Sequence, residues 1–453
     1  MHRAVCAGLL GVAWCLVSGA GEADDVAIPF TKTTLPNGMV VIFSEDHTVP
    51  QVDVNVEYAV GSRVERPGRT GFAHLFEHLM FMGTHRVPTH MFDGWMEQAG
   101  GKNNASTRDD VTDYFDIAPP TALPLLLWLE ADRLRDLGAD MDQAKLDLQR
   151  DVVLNERRQR IENQPYGGED LVLPTLLWPE GHPYHHPVIG SPADLHAATV
   201  ADVKQFFETW YDPANASLVI AGDFDPAKAR ELVDRWMGPI PSRGKPTDPS
   251  AAAAAVEWKT TLSGVVRRTL TDDVEMAKVT LAWQSPRHLA PGDAELDLLA
   301  SVLTSGKASR LYRSLVYEQK IAQNVEAVEE SEALASSFFV TAMVRPGVDP
   351  AKVEKALLDG VATLRAQPVT AEELERARNG YEMGFVDRLQ GIPARASLLN
   401  AYQMEVGDPG YVQRDLDRYR KATPQDLLVY AKKVLVPDAM VILTTVPKNG
   451  GPR

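Results

Sequence analysis

Cysteine is almost absent from this sequence. Of 453 residues two are cysteine, Cys6 and Cys15, and both stand in the first segment of the chain. The remainder has no disulfide and no thiolate to offer a metal. An excess of positive charge is lacking too: 46 lysines and arginines face 62 aspartates and glutamates, a net charge of −16. That argues against a nucleic-acid partner. It leans toward cationic peptides, although solubility alone accounts for an acidic surface equally well. Long apolar runs are missing as well. Ala4 to Val17 is too short to cross a bilayer, so no stable membrane insertion is expected.

That same segment reads as a secretory signal. His2 and Arg3 precede the apolar stretch, Ser18-Gly19-Ala20 suits cleavage, and Ala23 is an alternative end. Trp14 before Cys15 argues against a lipoprotein signal, which wants a small residue there. Residues 1–23 are therefore expected to be a cleaved signal peptide, and the mature chain to be exported, most simply to the periplasm. A retained anchor is the alternative.

What is present is the composition of an ordinary globular protein, 44% hydrophobic and 24% charged. A chain of this length exceeds one core and suits two domains of about 200 residues. Two related halves are legible. Residues 29–240 open with strand-like alternation at Met39–Phe43 and Val52–Val56 and pass into an apolar helix. Residues 257–448 repeat the order, with a strand at Val279–Trp283 and a helix at Ala294–Leu303 that carries no histidine. Residues 241–256 between them have linker composition, with Pro241, Pro246, Pro249 and five alanines from Ala251 to Ala255. Strands and helices without strict alternation predict an α+β class.

The apolar helix holds the most informative pattern, H-x-x-E-H, formed by His74, Glu77 and His78 in the run from Arg69 to Thr84. His74 and His78 share a face one turn apart, with Glu77 at its edge. Phe72, Ala73, Leu75, Phe76, Leu79, Met80 and Phe81 make the rest apolar nearly all round, so the helix is expected to be buried. Two imidazoles and a carboxylate are costly there unless they are paired or bind a metal. As core residues the histidines would have Glu77 as ion-pair partner. As metal ligands in this order they form a zinc-peptidase motif. A catalytic zinc needs three protein ligands and an open position, so a carboxylate or histidine on another rigid element must complete the set. Residues 142–161 read as a long charged helix, and Glu156, after the mostly apolar Val152-Val153-Leu154-Asn155, can face inward from it. His185 and His186 sit in a Pro- and Gly-flanked loop with no carboxylate at ligand spacing and are not expected to hold a metal.

H-x-x-E-H with a glutamate 78 residues after its second histidine (156 − 78) resembles the inverzincin, or pitrilysin-like (M16), zinc metallopeptidases. The length matches the branch that contains mitochondrial processing peptidase and its bacterial relatives. Leu35 to Gly38, Gly100 to Thr107, His182 to Gly190, and Tyr211 to Ala216 leading into Ala221-Gly222-Asp223-Phe224 fit the same family. The resemblance thus covers nearly the whole mature chain. It implies one Zn2+ per chain held by His74, His78 and Glu156, with Glu77 as general base for hydrolysis of peptides or small unfolded proteins. Zinc in such a site polarises the scissile carbonyl and acidifies a water, whose proton Glu77 would take and pass to the leaving amine. It implies further that each half is a mixed sheet packed with helices and that the halves close around a substrate chamber. The strand around Asn104 and Ala105, entered from the glycine turn at Gly100, would bind extended peptide by strand addition.

Two positions depart from the family. Family members commonly carry a second glutamate two turns before the third ligand, where this chain has Gln149. An amide can orient a histidine or a water but supplies no charge, so zinc binding is expected to survive. The family's second half usually supplies an arginine and a tyrosine seven residues apart to the substrate and the tetrahedral intermediate. In that register this chain has Val316 and Gln323, and neither can do the work. Arg313 and Tyr317 lie nearby but out of register, as an exposed helix face. The expectation is therefore a heterodimer with a homologous subunit that lacks H-x-x-E-H and carries the missing pair. A non-catalytic or weakly active core subunit of a larger complex is the alternative.

Overall fold

The computed structural model describes residues 25–249 and 258–448. The expected signal peptide and the alanine run of the linker lie outside the described residues. Two sheets organise the chain. The first contains β1 (Thr31–Thr34), β2 (Val40–Glu45), β3 (Val52–Tyr58), β4 (Lys102–Thr107), β5 (Thr112–Ala118) and β6 (Ala216–Gly222), in the order β1-β2-β6-β3-β5-β4. The second contains β7 (Val265–Asp272), β8 (Lys278–Ser285), β9 (Ala322–Glu330), β10 (Ser336–Val344) and β11 (Met440–Pro447), in the order β7-β11-β8-β10-β9. Each is mixed: β2 runs parallel to β6 and β7 parallel to β11, and the other neighbours are antiparallel.

Dropping β1 makes the two orders the same, β2-β6-β3-β5-β4 against β7-β11-β8-β10-β9. The parallel pair sits in the same place in each. The two halves are thus one topology used twice, as the repeated strand-then-helix pattern predicts. The helices follow suit. In the first half they are α1 (Phe72–Leu79), α2 (Met91–Gln98), α3 (Leu123–Asp140), α4 (Gln143–Arg157), α5 (Gly168–Leu177), α6 (Pro192–Ala197), α7 (Val200–Trp210) and α8 (Pro226–Trp236). In the second they are α9 (Asp293–Thr304), α10 (Pro350–Ala366), α11 (Ala371–Arg388), α12 (Ile392–Val406), α13 (Val412–Lys421) and α14 (Pro424–Val434). Each sheet packs one face on helices of its own half around a separate apolar core. The class is α+β.

The opposite faces are covered by exchange. α12, from the second half, lies on β3 and β6 of the first sheet. It packs Ala396, Leu399 and Tyr402 with Ile42, Val219 and Ala221. Reciprocally, α5 of the first half lies on the second sheet, where Leu177, Trp178 and Tyr184 meet Ala282, Phe339 and Val441. Polar residues pin both crossings. Asn400 Nδ2 on α12 donates to Asn55 O at 3.0 Å, and Lys278 Nζ on β8 pairs with Glu169 on α5 at 3.0 Å. This explains why β3 reads as alternating Val52, Val54, Val56 against Asp53, Asn55, Glu57 yet is buried at every position. Its polar face lies under a helix from the other half instead of under water. Among the described residues no helix is long and apolar enough to cross a membrane.

Candidate active site

α1 is short, and its geometry is fixed from outside the helix. It begins at Gly71 with φ +84°. A Cβ there would stand 2.8 Å from Ile189 O, and one at Gly190 would stand 2.3 Å from Gly71 N. Only two glycines let these backbones approach so closely. The loop from His182 to Gly190 is therefore a buttress for the start of α1. Glu65 completes the start, accepting from Gly71 N at 2.8 Å and Ala73 N at 2.7 Å. It serves the orphan donors that a helix N-terminus leaves open. The same loop reaches α4, because Arg157 Nη1 donates to Gly190 O at 2.6 Å. α1 and α4 are thus tied to one loop.

The apolar side of α1, Phe72, Ala73, Leu75, Phe76 and Leu79, is buried, with Phe76 on Tyr211 at a centroid distance of 4.4 Å. His74, Glu77 and His78 are only partly buried and form the face toward α4. The fully buried helix read from the sequence is therefore open along this one stripe. The two rings meet edge to face, centroids 4.8 Å apart. Glu156, in the last turn of α4, brings Oε2 to 3.1 Å from His78 Nε2 and 3.8 Å from His74 Nε2. Its other oxygen takes Arg160 at 2.8 Å, across the π-helical turn Arg158–Glu162 that follows α4. Bonds of about 2.0–2.2 Å in a tetrahedron set ligand atoms roughly 3.3 Å apart, and the two distances from Glu156 Oε2 to the ring nitrogens straddle that value. Glu77 is also close, its carboxylate and the two imidazoles lying within 4.8 Å of one another. Its Oε2 accepts from Thr107 Oγ1 at 2.5 Å.

The protonation states suit a metal. Burial, helped by His78, pulls the His74 pKa down to about 4, so its ring is neutral near pH 7, the form that ligates. The hydrogen bond to His78 holds Glu156 below the ordinary carboxylate range. Burial raises Glu77, with the Thr107 hydroxyl opposing.

Two cavities flank the cluster. One of about 600 Å³ opens from His74 and Thr107 toward the second half and is walled by α5, β9 and β10. Asp109, Glu169, Asp170, Glu326, Glu330 and Glu332 line it, against Lys278. The other, about 580 Å³, lies beside His78, with Phe81, Met82, Asn103, Asn104 and Gln149 around it. β4 passes from one to the other and is the edge strand of its sheet. Asn104 is exposed on it and Ala105 is buried. Gln149 lines the second cavity, but its amide is turned to Met82 Sδ, not to a histidine.

Val316 is buried in the π-helical segment Tyr312–Glu318, and Gln323 is exposed beside the bulge of β9. Tyr317 is 74% exposed and Arg313 pairs with Glu318 at 2.7 Å. None of these four lines either cavity. His185 gives Nδ1 to the Trp178 carbonyl and His186 faces Glu65 at 3.6 Å, so both belong to the buttress loop. Sequence reasoning passed over Thr107, Arg160 and Glu65. Only Thr107 had a signal, as the hydroxyl that ends the edge strand.

The chain is similar to known proteins along most of its length. Residues 40–177 match the family model described as Insulinase (Peptidase family M16), and residues 197–381 match the one described as Peptidase M16 inactive domain. The chain is 27% identical over 399 residues to "Zinc protease PqqE" of Helicobacter pylori, spanning 88% of each chain. It is 24% identical over 383 residues to "Mitochondrial-processing peptidase subunit beta" of Lentinula edodes, spanning 81% of this chain and 79% of that one. The crystal structure of a protease from Helicobacter pylori superposes with a TM-score of 0.85 at 25% identity, over 93% of this chain and all of that one.

Proposed function

Because the chain belongs to the M16 peptidase family, we propose that it is a zinc-dependent endopeptidase that hydrolyses peptides or small unfolded proteins in the chamber between its halves. The observation that carries this is the meeting of His74 Nε2, His78 Nε2 and Glu156 Oε2, with the Glu77 carboxylate beside them. One zinc per chain, held by those three side chains, would polarise the scissile carbonyl and acidify a water. The chain's own residues do the rest. Glu77 accepts the proton of the attacking water and delivers it to the amine as the C–N bond breaks. Extended peptide adds to the free edge of β4 around Asn104 and Ala105 through main-chain hydrogen bonds. Acidic side chains outnumber Lys278 in the larger cavity; burial keeps a proton on Glu332, and the excess left by the others favours cationic peptides. Gln149, turned from the histidines, leaves the ligand set to the other three. Division into residues 29–240 and 257–448 joined by residues 241–256, a cleaved signal at 1–23, and export to the periplasm belong to the same reading.

The missing arginine and tyrosine bear on how the enzyme is assembled. Val316 and Gln323 have no charge to offer and lie away from the cavities. Each oxyanion donor is worth roughly a hundred- to a thousand-fold in rate. We therefore propose a heterodimer with a homologous subunit that lacks H-x-x-E-H and supplies the pair. The relative from Lentinula edodes is itself named as a subunit. A non-catalytic core subunit is the second reading, favoured by the same two residues. Cleavage of a mixed peptide pool, with and without a chelator and with and without a candidate partner, separates these. Chelator-sensitive cleavage that rises on adding the partner is expected. Full activity of the isolated chain would refute complementation, and no cleavage under any condition would refute the peptidase.

A further inference from the structure

Thr107 is the last residue of β4, the strand on whose free edge the peptide is proposed to dock. Its hydroxyl crosses to α1 and donates to Glu77 Oε2 at 2.5 Å. An ionised carboxylate has no proton to give, so the hydroxyl is the donor. Thr112, paired with Thr107 across β4 and β5, is fully buried and gives its own proton to Val60 O at 2.8 Å. Its oxygen stands 3.5 Å from Thr107 Oγ1. The bond from Thr107 to the carboxylate is a full ångström shorter than that contact and is charge-assisted. The neighbouring residues do other work. Ser106 Oγ and Arg108 both turn to Asp113, at 2.5 and 3.3 Å, and fasten the β4–β5 hairpin. Thr107 thus joins the peptide-binding edge to the acid on α1.

We infer that Thr107 is a positioning residue for hydrolysis, its hydroxyl fixing the Glu77 carboxylate by Oε2 and leaving Oε1 as the atom that takes the proton. A carboxylate free to rotate offers either oxygen in many orientations. One held at Oε2 offers a single acceptor in a single place, and general-base catalysis depends on that placement. Because the same residue ends β4, docking of extended peptide and alignment of the base are coupled through one side chain. The inference rests on the peptidase reading.

The test compares Thr107→Val, which keeps shape and loses the hydroxyl, with Thr107→Ser, which keeps the hydroxyl. Zinc content and melting temperature of each variant report whether the fold and the metal centre survive. Thr107→Val is expected to lower kcat about ten- to a hundred-fold, the effect of one hydrogen bond to a charged group, with KM within about two-fold. Thr107→Ser should recover most of the rate. A Thr107→Val enzyme with parental kcat, or a serine variant as slow as the valine one, overturns the assignment. So does an equal loss in kcat with loss of zinc in both variants, the mark of a merely structural role. Crystal structures of parent and Thr107→Val keep the two readings apart. If the parent cleaves nothing with or without the candidate partner, the peptidase reading falls, and a Glu77 side chain unmoved in the valine variant independently removes the role given to Thr107.

Discussion

Glu77→Gln is the sharpest perturbation the site allows, because it removes one property and keeps the rest. The amide has the volume of the carboxylate and an oxygen that can still accept from Thr107. Neither imidazole loses a neighbour, and Glu156 keeps Oε2 between the two Nε2 atoms and Oε1 on Arg160. Zinc content should therefore match the parent. What disappears is the ability to take a proton, since an amide oxygen is far too weak a base near neutral pH. General-base catalysis contributes typically 10² to 10⁴ in rate, about 3 to 5 kcal/mol of barrier. The variant should lose that factor in kcat with KM within about three-fold. The assay follows one peptide taken from the cleaved pool by mass spectrometry, with metal analysis of the same sample. Full zinc and a rate within three-fold of the parent would refute the role of Glu77.

Two further outcomes concern the fold. Glu130 and Arg133 form an ion pair at 1% and 2% side-chain exposure, with the guanidinium 4.3 Å from the Tyr114 ring. Arg133→Met leaves buried Glu130, with Asp116 beside it, without a counter-charge and should cost about 3–5 kcal/mol, part of it restored by adding Glu130→Gln; urea midpoints of both variants check this. Asp53, fully buried with no hydrogen-bond partner among the described residues, has its pKa pushed up by burial to about 7. Its folded value lies above its unfolded one, so its contribution is intact below about pH 4 and is lost as pH rises through 7. Asp53→Asn should therefore stabilise the protein above pH 7, by at most about 4 kcal/mol, and not near pH 4. Melting curves with the same pH dependence as the parent would contradict that.

How much of this was legible in the sequence follows the distance between interacting residues. The two histidines and Glu77 lie within one helix, and periodicity alone aligns them. β4 is readable as an edge strand from Gly100 and Gly101, which turn the chain into it. The doubling of the fold shows in the repeated order of strand and helix. The bond from Thr107 to Glu77 joins residues 30 apart, and no local pattern announces it. The polar face of β3 suggests solvent, but its cover, Asn400 on α12, comes 345 residues later. Glu65 reads as a surface charge until Gly71 and Ala73 need an acceptor. Val316 and Gln323 are legible only as absences, and the structure adds that Arg313 and Tyr317 do not line the cavities beside the histidines.

The central claim is that His74, His78 and Glu156 hold one zinc ion at a peptide-cleaving centre. Metal analysis of the purified chain beside His74→Ala tests it most directly. About one zinc per chain in the parent and little in the variant, whose fold is checked by circular dichroism, is the predicted result. An unchanged zinc content in His74→Ala, or a parent that takes up no zinc when it is supplied, would contradict it.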